Sequence, residues 1–147
     1  MISAMDPITG MSAVAAAAGL ADVGLKIARF LVELSRTIKD LPSSVRGQIE
    51  PIEQLVALAR LILVNPGLQT DSVAEVLRTC FSIAGTLEKT LQSIGTNKEG
   101  KMLKRVVKRV WKSLVAVAGK INEIEKLSVQ LERQKSTLII CIQEHDS

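Results

Sequence analysis

The chain has 147 residues, a net charge of +4 and 47% apolar residues, with two Phe, one Trp and no Tyr. That is chain enough for one domain with a core of its own, and the core has to be aliphatic. Cys80 and Cys141 make no disulfide framework and no Asn-x-Ser/Thr sequon is present, so an intracellular, reducing home is expected.

The first predicted helix covers residues 5–41 and opens at Asp6-Pro7, with Asp as N-cap and Pro at the first helical position. From Pro7 to Ala21 no residue is charged, and almost all are Ala, Gly or small apolar side chains. Small residues bury little area but let helix backbones approach closely. Ala15-xxx-Gly19 and Gly24-xxx-Ala28 have the small-xxx-small spacing found where helices touch in lipid. A small-residue face packed inside a soluble bundle explains the same pattern. As a helix, fifteen uncharged residues span about 22 Å, short of the ~30 Å hydrocarbon core. Extension to Leu25 takes Asp22 into the membrane at about 2.5–3.5 kcal/mol. The stretch is therefore no constitutive membrane span, although an oligomer that shelters Asp22 could insert it. No Lys or Arg precedes it, which argues against a secretory signal.

Beyond this stretch the helix becomes amphipathic. Leu20, Val23, Ile27, Leu31, Leu34 and Ile38 recur at three- and four-residue steps, opposite Asp22, Lys26, Arg29, Glu33, Arg36 and Asp40. Leu41-Pro42 is its expected end. The second element spans residues 43–64, with a short turn over 43–49 and a helix proper from Pro51; Asn65-Pro66-Gly67 stops it. The third, residues 71–94, opens on the capping box Ser72-x-x-Glu75 and ends at Gly95. Cys80 falls on its apolar stripe and reads as a small buried hydrophobe.

A second capping box, Thr96-x-x-Glu99, opens the last and longest helix, residues 97–140. Leu103, Val110, Val117, Ile124, Leu131 and Leu138 are spaced by sevens, with Val107, Leu114 and Ile121 between them, a heptad seam. Ser128 and Lys135 interrupt that second column, which predicts that the far end leaves the bundle or meets another partner. The apolar run over residues 138–142 continues the helix or becomes an extended tail, and residues 141–147 are expected as a tail. Together these elements predict an all-α fold in one domain over residues 1–147. It is a four-helix antiparallel bundle, or five helices if the short turn counts, with a long C-terminal helix.

Chemistry is sparse. Residues 95–102 nearly match a phosphate-binding loop, but Met102 stands where Ser or Thr should hold Mg²⁺, and a helix rather than a strand precedes it. His145 is the only histidine, so no His-based triad or metal cluster can assemble. No catalytic residue, cofactor site or metal site is expected, and the chain does not read as an enzyme.

Charge is more telling. Residues 98–112 hold seven basic residues against Glu99, a net +6 within a chain of +4. Lys101, Arg105, Lys108 and Lys112 share a helix face, flanked by Lys104 and Arg109. Anionic headgroups attract such a face by about 1 kcal/mol per basic residue near the surface. Trp111 lies within the run, suited to the headgroup zone or to edge-of-core packing beside Val107 and Leu114. A solvated helix face accounts for the same charges. Nucleic acid is disfavoured, because aromatics for stacking are nearly absent and a recognition-helix motif is lacking.

The opening Met5-Asp-Pro-Ile-Thr-Gly10, the Ala/Gly-rich run and the continuation Leu25-Lys-Ile-x-x-Phe-Leu31 resemble the N-terminal HeLo-like domains of fungal NOD-like receptor (STAND) and related cell-death proteins. The resemblance is clearest over residues 5–64 and implies that Met5 is the native start. It implies a non-enzymatic helical bundle that acts in programmed cell death, fungal innate immunity and heterokaryon incompatibility. Such a domain oligomerises, moves from the cytoplasm to the plasma membrane, and permeabilises it with a released N-terminal segment. By position that segment is residues 8–25, carried by Ile8, Gly10, Met11, Val14, Ala15, Gly19, Leu20, Val23, Gly24 and Leu25. Gly10, Gly19 and Gly24 are its close-packing positions. Lys101, Lys104, Arg105, Lys108, Arg109, Trp111 and Lys112 are the expected anionic-lipid contacts. Implied partners are anionic membrane lipids, further copies of the chain and an upstream NOD-like receptor. The chain departs from the group in having no obvious amyloid-signalling repeat. Bulky charged residues at positions 19 and 24 are expected to abolish toxicity with helicity intact. An adaptor or oligomerisation module, with the first helix packed in the core, is the alternative.

Overall fold

The computed structural model describes residues 11–95, 102–112 and 114–146. These form helices α1 (Ala13–Thr37), α2 (Ser43–Arg46), α3 (Ile49–Leu63), α4 (Asp71–Gly95), α5 (Lys104–Lys112) and α6 (Leu114–Asp146), with no strand among the described residues. The start at Asp6-Pro7, the Thr96-x-x-Glu99 box, and Ile8, Gly10 and Lys101 lie outside the described residues.

α1 is the centre of the bundle, packed along both α3 and α4. Its predicted stripe is buried throughout, and Ala13, Ala16, Ala17, Ala21 and Ala28 join it in the core. α3 runs antiparallel to α1, bringing Gly24 against Val56. α4 runs in the same direction as α1: Arg78 lies near α1's start, where Nη1 donates to Met11 O at 2.8 Å, and the chain beyond α4 lies near α1's end, where Thr37 Oγ1 donates to Met102 Sδ at 3.7 Å. α6 returns antiparallel along α4, with Thr90 bonded to Glu123 and Lys120 to Ser93. The result is an up-down-up-down bundle held by aliphatic burial, each fully buried Leu or Ile contributing roughly 1.5–3 kcal/mol.

Helix boundaries differ from the sequence reading where tertiary burial or a better cap intervenes. α1 ends at Thr37, four residues before the expected Leu41, because the chain turns extended at Ile38 and buries both Ile38 and Leu41. The break in the second element falls at Gly47-Gln48, so α3 starts at Ile49, and Pro51 sits in its first turn, where no N–H is needed. α4 is capped by Thr70, whose Oγ1 accepts from Val73 N at 3.2 Å, and not by Ser72. Asp71 then lies in the first turn, favourable to the helix dipole. Gly95 ends α4 with φ +151°, a backbone that favours glycine.

The last element is corrected most. α5 begins at Lys104 rather than 97, and α6 continues to Asp146 rather than 140. Leu138 and Ile142 are buried, so residues 138–142 extend the helix, and His145 is helical rather than in a tail. Ser128 and Lys135 do not mark a departure from the bundle: they are 4% and 8% exposed.

Candidate functional site

α5 is nine residues long and buries Val107 completely. It is placed by the turn after α4, where Leu103 N donates to Gly95 O at 3.0 Å and Val106 and Val107 pack over Gly95. A Cβ at position 95 would lie 3.0 Å from Val106 Cγ1, so the glycine also makes room for α5. With Val107 facing inward, the helical repeat carries Lys104, Lys108, Lys112, Arg105 and Arg109 around one contiguous arc of about 140°. All five are exposed. The three ion pairs among the described residues, Lys26–Asp22, Arg36–Glu33 and Lys135–Glu132, leave them out. Exposed Val106, 37% accessible, borders the arc on the far side from half-buried Trp111. Trp111 packs against the core, so its position is that of an edge residue with one side wet.

The other predicted region is not beside α5. Gly19 lies against the Phe81 ring, with a Cβ there only 2.9 Å from Cζ, and Gly24 lies against Val56. Leu20 and Val23 are buried, Met11 and Leu25 half-buried, and Val14 and Ala15 exposed. Ala15 thus does not share an interface with Gly19, and it is Gly19 and Gly24 that serve helix contact within this bundle. A bulky charged residue at Gly24 would overlap Val56, against the expectation of intact packing there, whereas at Gly19 the neighbour is the tip of the half-buried Phe81 ring. Because α5 sits where α1 finishes, Gly19 is about 27 Å of helix away from Thr37, the residue that touches Met102. The structure therefore separates the two regions.

No helix among the described residues is long and apolar enough to cross a membrane. No group of three metal-ligating side chains occurs among the described residues. Cys80 is buried, and its thiol is pushed up to about 12 by desolvation, partly offset by a backbone hydrogen bond, so it is protonated and inert at neutral pH. One polar feature escaped sequence reasoning: Lys135 reaches Gln54 Oε1 at 2.7 Å, a contact across 81 residues of chain.

Fold and site define an all-helical bundle that carries a cationic helix at one end. No family model, curated protein or solved structure matches the chain.

Proposed function

We propose that this chain is a non-enzymatic, membrane-directed effector domain of the HeLo-like type, which docks on anionic lipid through α5. The observation that carries this reading is the exposed arc of Lys104, Arg105, Lys108, Arg109 and Lys112, free of acidic partners among the described residues and bordered by exposed Val106. A convex cationic helix with an apolar flank suits an extended anionic surface better than a small ligand. In this reading the resting protein is cytoplasmic and relocates to the plasma membrane when a NOD-like receptor or further copies of itself activate it. Permeabilisation then requires α1 to leave α3 and α4, in a homo-oligomer that shelters Asp22.

A second reading is favoured by the central place of α1: a helical adaptor or oligomerisation module whose first helix never leaves the core. Dye leakage from vesicles with and without anionic lipid separates the two. Val14→Glu with Ala18→Glu alters positions exposed in the resting bundle, so the fold is expected to stay intact. The effector reading expects leakage that needs anionic lipid and is abolished by these two changes. Leakage unchanged by them defeats the insertion step. No vesicle binding at low salt defeats membrane docking and leaves the adaptor.

A further inference from the structure

The seams of α1 with α3 and α4 are apolar, and glycines close them. The α3–α6 seam is built differently. α3 packs along α1 and α6 along α4, so α3 and α6 meet only slightly. Where they do, Pro51, Ile52 and Leu55 face Ser128, Leu131 and Lys135 around a cavity of about 10 Å³. Ser128 is 4% exposed, and its hydroxyl has no hydrogen-bond partner. The Lys135 side chain is 10% exposed; its ammonium meets Glu132 Oε1 at 2.8 Å on its own helix and Gln54 Oε1 at 2.7 Å across the seam.

The lining is mainly carbon, but Gln48, Ser128, Glu132 and Lys135 border the space, which accommodates one water molecule, and a buried hydroxyl without a protein partner is what such a water satisfies. We propose that the α3–α6 seam is a hydrated joint: it binds one water against Ser128 Oγ in a part-open pocket, and α6 opens from α3 there while α1, α3 and α4 stay packed. Opening returns a hydroxyl and an ammonium to solvent, which offsets the apolar area it exposes; among the described residues α1 and α3 bury no polar side chain that would do the same. Gln54, which ties the seam, is itself exposed, so solvent competes for its amide oxygen. The joint stands independently of whether α5 binds a membrane.

Amide hydrogen exchange on the full chain tests it. Residues 128–138 are expected to exchange about ten-fold faster than residues 20–31 of α1. Ser128→Ala combined with Lys135→Met makes the seam apolar and is expected to slow residues 128–138 by about ten-fold, with α1 unchanged. Equal protection of the two segments in the unmodified protein overturns the proposal, as does a folded double variant whose α6 exchange fails to slow. Should the double variant not fold, Gln54→Ala decides. Faster exchange in residues 128–138 alone supports the joint, and no change there rejects it.

Discussion

Gly24 of α1 lies so close to Val56 of α3 that a methyl group at position 24 would overlap the valine Cγ2. A Cβ at Gly19, five residues earlier, would lie 2.9 Å from the tip of the Phe81 ring of α4. Two glycines on one helix thus set how near two different neighbours can come.

Gly24→Ala is expected to destabilise the protein by about 1–3 kcal/mol in urea unfolding, because overpacking against a buried β-branched residue outweighs the gain of about 1 kcal/mol in helix propensity. In a Val56→Ala background the overlap is gone, and the same substitution should then stabilise. Gly85, with nothing within 4 Å of a built Cβ, is the control: Gly85→Ala should stabilise by about 0.5–1 kcal/mol.

The cap of α4 separates two candidates that differ by two positions. Thr70→Ala should cost about 1 kcal/mol, since Val73 N loses its acceptor. Ser72→Ala, at an exposed position, should change stability by less than about 0.5 kcal/mol. Paired denaturation curves decide which hydroxyl is the cap.

Changing Lys104, Arg105, Lys108, Arg109 and Lys112 together to Gln should remove binding to anionic vesicles in a co-sedimentation assay, each charge contributing about 1 kcal/mol at the surface. The melting temperature should hold, because none of the five is buried or ion-paired among the described residues. Raising the salt concentration should weaken the unmodified protein's binding in the same direction.

The two thiols should behave differently. Cys141 is half-buried and should react with a thiol reagent in the native protein, whereas Cys80 should react only on unfolding. Burial holds the Cys80 thiol at about 12, so above the ordinary cysteine range the unfolded chain loses a proton that the folded chain keeps. Fewer protons on the unfolded state mean that stability falls as pH rises from about 9 to 12. The difference between the unmodified protein and Cys80→Ala, measured at several pH values, isolates this contribution.

Much of the fold was legible because the pattern of α1, α3 and α4 is unambiguous: Leu20, Val23, Ile27, Leu31 and Leu34 repeat on one face, and all are buried. Helix ends were less legible. Ile38 and Leu41 leave the helix to reach the core, and nothing local to them encodes that. The α5 arc could be read directly, since exposed cations need no partner to be recognised. Gly19 and Gly24 could not be assigned, because small-residue spacing is the same in lipid and in a bundle core, and the residues that decide it, Phe81 and Val56, belong to other helices. Lys135 was misread for a related reason: a lysine in a heptad column signals exposure unless a distant acceptor such as Gln54 is known to be there.

The placement of α5 where α1 finishes has an electrostatic consequence. A bundle adsorbed through its five cations keeps Gly19 about 27 Å of helix from the contact at Thr37, beyond three Debye lengths of ~8 Å at physiological salt. On the proposed docking reading, a surface charge felt at the Thr37 end of α1 is screened before it reaches Gly19. On the proposed docking through α5, freeing α1 from its two seams would need a separate input, such as a neighbouring copy or an upstream partner.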